Sequence, residues 1–93
     1  MNSWRDVKER LLEDGELRWE YEALAPYYEL VRSIIRLRTA KGLSQEDLAR
    51  LLHTRKPAIS RLESGRANPT IKTLQRVAEA LDARLVIALE PQG

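Results

Sequence analysis

Apolar residues recur at helical spacing in two neighbouring stretches between Ser44 and Gly65. Positions three and four apart lie on one face of a helix, so each stretch has a face that can pack inwards. Ser44 with Asp47 is a typical helix start, Gly65 is a typical stop, and His53 tolerates the positive φ angle of a turn. The apolar positions are Leu48, Ala49 and Leu52, then Ala58, Ile59 and Leu62. The pattern predicts two short helices joined by a tight turn.

The same spacing predicts four further helices, and glycine or proline marks the end of the first three. Asp14-Gly15 ends the first of them. Ala25-Pro26 separates the next two, because a residue before proline avoids helical backbone angles. Gly42 is the expected end of the third. The predicted helices cover about residues 3–14, 16–24, 27–41 and 71–81, and residues 66–70 are predicted as a loop. In the last of these helices the residues at core spacing are Ile71, Leu74, Val77, Ala78 and Leu81.

After Asp82 the pattern changes to an apolar, β-branched run over residues 84–90, which is typical of a β-strand. Its apolar positions include Leu85, Val86, Ile87 and Leu89. No other segment resembles a partner strand, and an unpaired strand leaves backbone groups unsatisfied. We therefore expect a homodimer in which two copies of this strand pair. The predicted fold class is all-α, with five or six short helices and one C-terminal β-strand that pairs between protomers.

The composition of the 93 residues argues against catalysis and metal binding. The chain has no cysteine and one histidine, His53, so a thiolate or multi-histidine site and a histidine-based catalytic set are absent. There is no phosphate-binding loop, no apolar run long enough to span a membrane, and no apolar signal segment at the N-terminus. We expect a cytoplasmic protein that is not an enzyme and needs no cofactor.

The outer face of the second short helix carries side chains that suit DNA, namely Lys56, Pro57, Ser60 and Arg61. Two helices arranged in this way form a helix-turn-helix, whose second helix enters the major groove and bonds base edges. The neighbouring candidates for phosphate contacts are Ser44, Gln45, Arg55, Arg66 and Lys72. The alternative is a solvated charged face without a ligand.

Charge divides the chain into an acidic and a basic part. Residues 1–29 contain four Lys or Arg against eight Asp or Glu, whereas residues 30–93 contain twelve against six. The basic part suits phosphate and the acidic part suits a basic protein. We expect an N-terminal helical segment, 1–28, as a candidate partner-binding region, a DNA-binding domain, 29–82, and a dimerisation strand with its tail, 83–93.

A set of motifs identifies the family that this sequence resembles. They are Arg38, Gly42-Leu-Ser-Gln45, Leu48-Ala49, Ala58-Ile-Ser-Arg-Leu-Glu-Ser-Gly65, Pro69-Thr70 and Leu74-Gln-Arg-Val-Ala-Glu-Ala-Leu81. On these motifs, residues 32–82 resemble the Cro/cI-type (Xre) helix-turn-helix family of bacterial and phage regulators. The whole chain is similar to the HigA-type antitoxins, which place a segment like residues 20–29 before this unit and a strand like residues 84–89 after it.

The resemblance implies a homodimer that binds double-stranded operator DNA and represses its own operon. It also implies an ion pair between Arg38 and Glu63; the alternative is two unrelated surface residues. The likeness to HigA implies that the N-terminal region inhibits a RelE-like toxin, a small basic ribonuclease that cuts mRNA. The alternative is a stand-alone Xre-family repressor with no toxin partner.

All five aromatic residues lie within the first 28 positions. Aromatic side chains concentrate at interface hot spots, so the candidate toxin-binding residues are Trp4, Trp19 and Tyr21, together with the apolar Leu11. The alternative is a local core that covers the DNA-binding unit.

Three residues depart from the pattern of the resembled family. His53 stands where glycine is usual, Arg55 where Ser or Thr usually caps the second helix, and Pro57 where a polar side chain often contacts a base. These changes bear on which DNA sequence is recognised rather than on the fold.

Overall fold

The computed structural model of the protein describes the backbone of residues 15–92 and the side chains of residues 23–92. It contains four helices in this range: α1 (Gly15–Ala40), α2 (Gln45–Leu51), α3 (Lys56–Glu63) and α4 (Ile71–Ala80). The chain divides into two compact units, Met1–Leu30 and Val31–Gly93, and the boundary falls within α1. None of the described helices combines the length and the apolar character that crossing a membrane requires.

Side-chain caps begin α2 and α4. The Ser44 hydroxyl accepts a hydrogen bond from the Asp47 N–H, and the Asp47 carboxylate accepts one from the Ser44 N–H, each 2.9 Å long. This reciprocal pair confirms the predicted capping pattern. The bond from Ser44 lowers the pKa of Asp47, so the carboxylate is an ionised acceptor at neutral pH. Thr70 caps α4 by accepting from the Thr73 N–H at 3.1 Å, in a stretch that the sequence pattern assigned to a loop.

All four helices end in the same way. A residue with positive φ follows the last turn, and the next N–H bonds to the carbonyl five residues earlier. The four residues are Gly42 (φ 72°), His53 (φ 56°), Gly65 (φ 76°) and Asp82 (φ 52°). The predicted stops at Gly42 and Gly65 and the predicted turn at His53 are thus confirmed. His53 and Asp82 carry a Cβ atom, which makes this conformation cost about 1 kcal/mol more than it does for glycine.

One face of each helix contributes to the core of the Val31–Gly93 unit. The buried residues are Val31, Ile34, Leu48, Ala49, Leu52, Ile59, Leu62, Leu74, Val77, Ala78 and Leu81. Both short helices therefore bury most of their predicted apolar face. Ala58 of α3 and Ile71 of α4 match the apolar spacing of their helices, but both are exposed. They lie in the first turns of α3 and α4, ahead of the turns that pack on the core.

The predicted helix break at Ala25-Pro26 is wrong. Helix α1 runs through Pro26 without interruption, so the predicted helices 16–24 and 27–41 are one element. Avoidance of helical angles before proline is a preference, and a proline inside a helix costs roughly 3 kcal/mol. The segment before Pro26 is rich in Glu, Leu and Ala, and the segment after it contains Leu and Arg; these residues favour helix and offset that cost.

The predicted count of five or six helices and the predicted C-terminal strand are not shown in the described residues. The structure contains four helices and no strand within residues 15–92, and residues 83–92 have no regular secondary structure. An extended segment becomes a strand only when its backbone groups pair with a neighbour, and the described part of this chain offers no second strand. The helix predicted over about residues 3–14 lies outside the described residues.

Candidate nucleic-acid interface

Helices α2 and α3 form a packed pair whose contact uses few residues. In α3 only Ile59 and Leu62 are buried, and in α2 Leu48 and Ala49 are buried. Since a helix of eight residues anchored by two side chains exposes most of its surface, α3 presents a broad face to a ligand. This arrangement is the one expected of a helix-turn-helix.

The outer face of α3 carries all four residues that the sequence marked as base-reading candidates. Lys56, Pro57, Ser60 and Arg61 are exposed and share one helix. Arg55 precedes the helix as its N-cap in extended conformation (φ −117°, ψ 155°) and makes no side-chain capping bond. Its guanidinium is therefore not engaged in starting the helix.

Five exposed cations on α3 or close to it in the sequence lack acidic partners. They are Arg55, Lys56, Arg61, Arg66 and Lys72, and none forms a salt bridge within the described part of the chain. By contrast, Arg38 pairs with Glu63 and Lys41 with Asp82. Cations without carboxylate partners are available for phosphate. Residues 23–92 also contain no cluster of His, Asp or Glu placed to hold a metal ion.

The two residues at the N-terminus of α2 have different surroundings. Ser44 is exposed, and its hydroxyl oxygen accepts the capping bond from Asp47. Gln45 is half-buried, and its amide Nε2 donates to Glu63 Oε1 at 3.0 Å. The Gln45 amide thus has a partner inside the protein, which sets it apart from the exposed cations.

Arg38 and Glu63 form the pair that the resemblance implied. Arg38 donates from Nε to Glu63 Oε2 at 2.6 Å and from Nη2 to Oε1 at 2.9 Å. The side chains are only 12% and 5% exposed. A third bond from Arg38 Nη1 reaches the Leu43 carbonyl at 2.8 Å. One guanidinium therefore links α1, the loop that precedes α2, and the end of α3.

Three contacts had no signal in the sequence. Besides the bond from Gln45 to Glu63, Arg76 Nη2 of α4 donates to the Leu52 carbonyl at 2.7 Å, and Lys41 pairs with Asp82. The partners are 18, 24 and 41 residues apart. Such bonds depend on how the helices pack, so no local sequence motif predicts them.

The remaining candidate residues lie at the two ends of the chain. Trp4 and Leu11 lie outside the described residues, and Trp19 and Tyr21 lie on the part of α1 whose backbone alone is described. At the C-terminus, three large apolar residues face solvent in this chain: Val86 (73% exposed), Ile87 (59%) and Leu89 (fully exposed). Leu85 is half-buried.

Comparison with known families and proteins shows that the chain is similar to helix-turn-helix regulators. A family model described as helix-turn-helix matches residues 34–86. An HTH-type transcriptional regulator of Sinorhizobium fredii is 41% identical over 56 residues, which cover 60% of this chain and 73% of the relative. A second HTH-type transcriptional regulator, from Haemophilus influenzae, is 28% identical over 92% of this chain and 84% of its own length.

The chain is also similar to antitoxin HigA1 of Mycobacterium tuberculosis, at 36% identity over 84 residues. That alignment covers 90% of this chain but only 56% of the antitoxin, so the chain spans little more than half the length of this relative. No solved structure matches the chain.

Proposed function

Because the chain belongs to the Cro/cI-type (Xre) helix-turn-helix family, we propose that it represses its own operon by binding operator DNA and that it neutralises a RelE-like toxin. The observation that supports DNA binding is the exposed surface of α3. This helix is anchored by two buried residues, Ile59 and Leu62, and five exposed cations without acidic partners lie on it or close to it in the sequence, between positions 55 and 72. The protein acts by occupancy, because a bound dimer blocks access to the promoter.

In this proposal α3 enters the major groove and its outer face reads bases. Lys56 and Arg61 donate to O6 and N7 of guanine, and Ser60 donates to or accepts from a base or phosphate. The Pro57 ring contacts a thymine methyl group. The sequence-independent contacts come from Arg55, Arg66 and Lys72, with the Ser44 hydroxyl at a neighbouring phosphate. DNA affinity should therefore fall steeply with salt.

Replacing Arg61 with alanine should cost roughly 1–3 kcal/mol of binding free energy at one base pair and relax the sequence preference there. The duplex for this test is selected by the wild-type protein from a random-sequence library. Binding of the variant to that duplex and to single-base variants is measured by fluorescence anisotropy. Arg36→Ala, which removes an exposed cation from α1, is the matched control and should leave base preference unchanged. Unaltered affinity and preference in Arg61→Ala would refute the assignment of α3 as the reading helix.

We further propose that residues 84–90 pair with the same segment of a second copy. Val86, Ile87 and Leu89 are exposed in the single chain, and burying them between two copies would remove apolar surface from water. Pairing would also satisfy backbone groups that a lone extended segment leaves open. A two-fold dimer of this kind places two copies of α3 about 34 Å apart, one turn of DNA.

Proline at position 86 should weaken this dimer, because it removes a backbone donor from the middle of the paired segment. Val86→Thr keeps the donor and serves as the control. Sedimentation velocity across a concentration series measures the monomer–dimer equilibrium. If Val86→Pro stays as dimeric as Val86→Thr and keeps full affinity for the selected duplex, the copies associate through a different surface.

The proposed toxin partner rests on the likeness to antitoxin HigA1 and on charge. Residues 1–29 carry eight acids against four basic residues, and all the aromatic residues lie within the first 28 positions. An acidic surface steers a basic ribonuclease into encounter, and aromatic anchors such as Trp4, Trp19 and Tyr21, with Leu11, supply the affinity. Both partners would meet this protein in the cytoplasm.

A chain that starts at Pro26 should still bind the selected duplex but should fail to capture the toxin. It keeps Val31 and Ile34, the residues of α1 that are buried in the core, and proline suits the first turn of a helix. The test is a pull-down with the RelE-like chain encoded beside this gene, with the full-length protein as control. If the truncated chain unfolds, the N-terminal segment is needed for the fold. If the truncated chain captures the toxin as well as the full-length protein does, the toxin-binding surface lies within residues 26–93.

A stand-alone repressor is the second candidate. It is favoured by the match to the Haemophilus influenzae regulator, which covers 84% of that protein, against 56% for the antitoxin. The neighbouring gene separates the two candidates. An adjacent short reading frame for a basic RelE-like chain supports the antitoxin, and its absence supports the stand-alone repressor.

A further inference from the structure

The Glu63 carboxylate, at the last residue of α3, is the meeting point of three hydrogen bonds. Oε2 accepts from Arg38 Nε at 2.6 Å, and Oε1 accepts from Arg38 Nη2 at 2.9 Å and from Gln45 Nε2 at 3.0 Å. The Glu63 side chain is 5% exposed. A carboxylate so enclosed depends on its donors, and bonds to a charged acceptor are roughly twice as strong as neutral ones.

Gln45 occupies a particular place in this network. It is the first residue of α2, and Glu63 is the last residue of α3. Their bond therefore joins the beginning of the first helix of the pair to the end of the second. The bond is distinct from the burial of apolar side chains on the two helices, which include Leu48, Ile59 and Leu62. A directional bond at this point restrains the rotation of α3 in a way that apolar contacts do not.

We propose that Gln45 is a positioning residue, which sets the orientation of α3 through Glu63, instead of a residue that supports DNA binding by touching a phosphate. This inference rests on the proposed DNA-binding function. Gln45 differs from Arg55, Arg61 and Lys72, which are exposed and have no acidic partner in the described chain. Gln45 is half-buried, and one N–H of its amide is donated to an anionic acceptor inside the protein.

The proposal predicts that the effect of Gln45 on DNA affinity depends on Glu63. Gln45→Met keeps the length of the side chain and removes the amide. In the wild-type background it should weaken binding about three- to tenfold, which corresponds to one hydrogen bond. In a background that carries Arg38→Met and Glu63→Met, the same change should have an effect within about twofold, because Gln45 no longer has its acceptor. Replacing both partners together leaves no unpaired charge behind.

The experiment is a double-mutant cycle on the full-length protein. The probe is the duplex that the wild-type protein selects from a random library, and affinity is measured at a temperature where circular dichroism shows every variant fully folded. This condition removes any effect of stability alone. If the protein that carries Arg38→Met and Glu63→Met fails to fold, a Glu63→Gln protein replaces it as the background. The loss of DNA affinity caused by Gln45→Met should again be smaller than in wild type.

Two results would overturn the proposal. An equal loss of affinity in both backgrounds means that Gln45 contacts DNA directly, and no loss in either background means that its bond to Glu63 has no influence on binding. Failure of the DNA-binding proposal itself looks different, since the wild-type protein would then select no duplex from the library.

Discussion

Replacing Glu63 with alanine is expected to lower the free energy of unfolding by about 3 kcal/mol. The change leaves the Arg38 guanidinium, 12% exposed, without the carboxylate that accepts two of its bonds. Arginine does not relieve this cost by losing its proton. Gln45 loses its acceptor as well. Because small domains are stable by only about 5–15 kcal/mol, this one change removes a large share of the total.

Urea unfolding followed by circular dichroism measures the effect, with Glu46→Ala as the control. Glu46 is an exposed acid on α2 and should contribute less than about 0.5 kcal/mol. Arg38→Met together with Glu63→Met should recover most of the loss, since removing both charges leaves neither unpaired. A Glu63→Ala protein as stable as the Glu46→Ala control would show that the pair does not support the fold.

Replacing Leu48 with alanine is expected to cost about 2–5 kcal/mol of stability. Leu48 of α2 has no exposed surface, and it lies in the core with Ile59, Leu62 and Val77. Removing three carbon atoms there leaves a cavity, because the surrounding core relaxes only in part. Since α3 has only two buried residues, we also expect the selected duplex to bind less tightly as the orientation of α3 loosens.

Leu51 provides a control on the same helix. It is three residues away, identical in chemistry, and 52% exposed. Leu51→Ala should therefore cost less than about 1 kcal/mol, because little transfer energy and no cavity are involved. Urea denaturation of both variants measures the urea concentration at the midpoint of unfolding. The midpoints can be compared when the dependence of the unfolding free energy on urea is the same for both. Equal costs for the two leucines would mean that the assignment of the inner face of α2 is wrong.

Helix ends in this protein are predictable because their chemistry is local. Ser44 and Asp47 satisfy each other's backbone groups within three residues. Gly42, Gly65 and His53 adopt the positive φ that closes a helix end. Each feature depends on a few consecutive residues, so the bounds of α2 and α3 follow closely from the amino-acid order. The exception is Pro26, where the preference of one residue loses to the cooperative stability of a helix that extends on both sides.

The extent of the core is less predictable than its periodicity. Spacing marks the face of a helix that can be buried, and Leu48, Ile59, Leu62 and Val77 are buried as expected. Spacing does not tell how far a neighbouring helix reaches along that face. Ala58 and Ile71 match the period and are nevertheless exposed, because they lie in the first turns of α3 and α4.

The sequence by itself determined the helix pair, its caps and turns, and the set of polar and basic residues on α3, because these depend on residues close together in the chain. Only the tertiary structure decided how those residues are used. It left the cations on α3 or close to it in the sequence without acidic partners, while it joined Arg38 and Gln45 to Glu63, residues that are 25 and 18 positions away from it. The physical reason is that a hydrogen bond needs its donor and acceptor at about 3 Å, and only the packing of α1, α2 and α3 brings these groups to that distance.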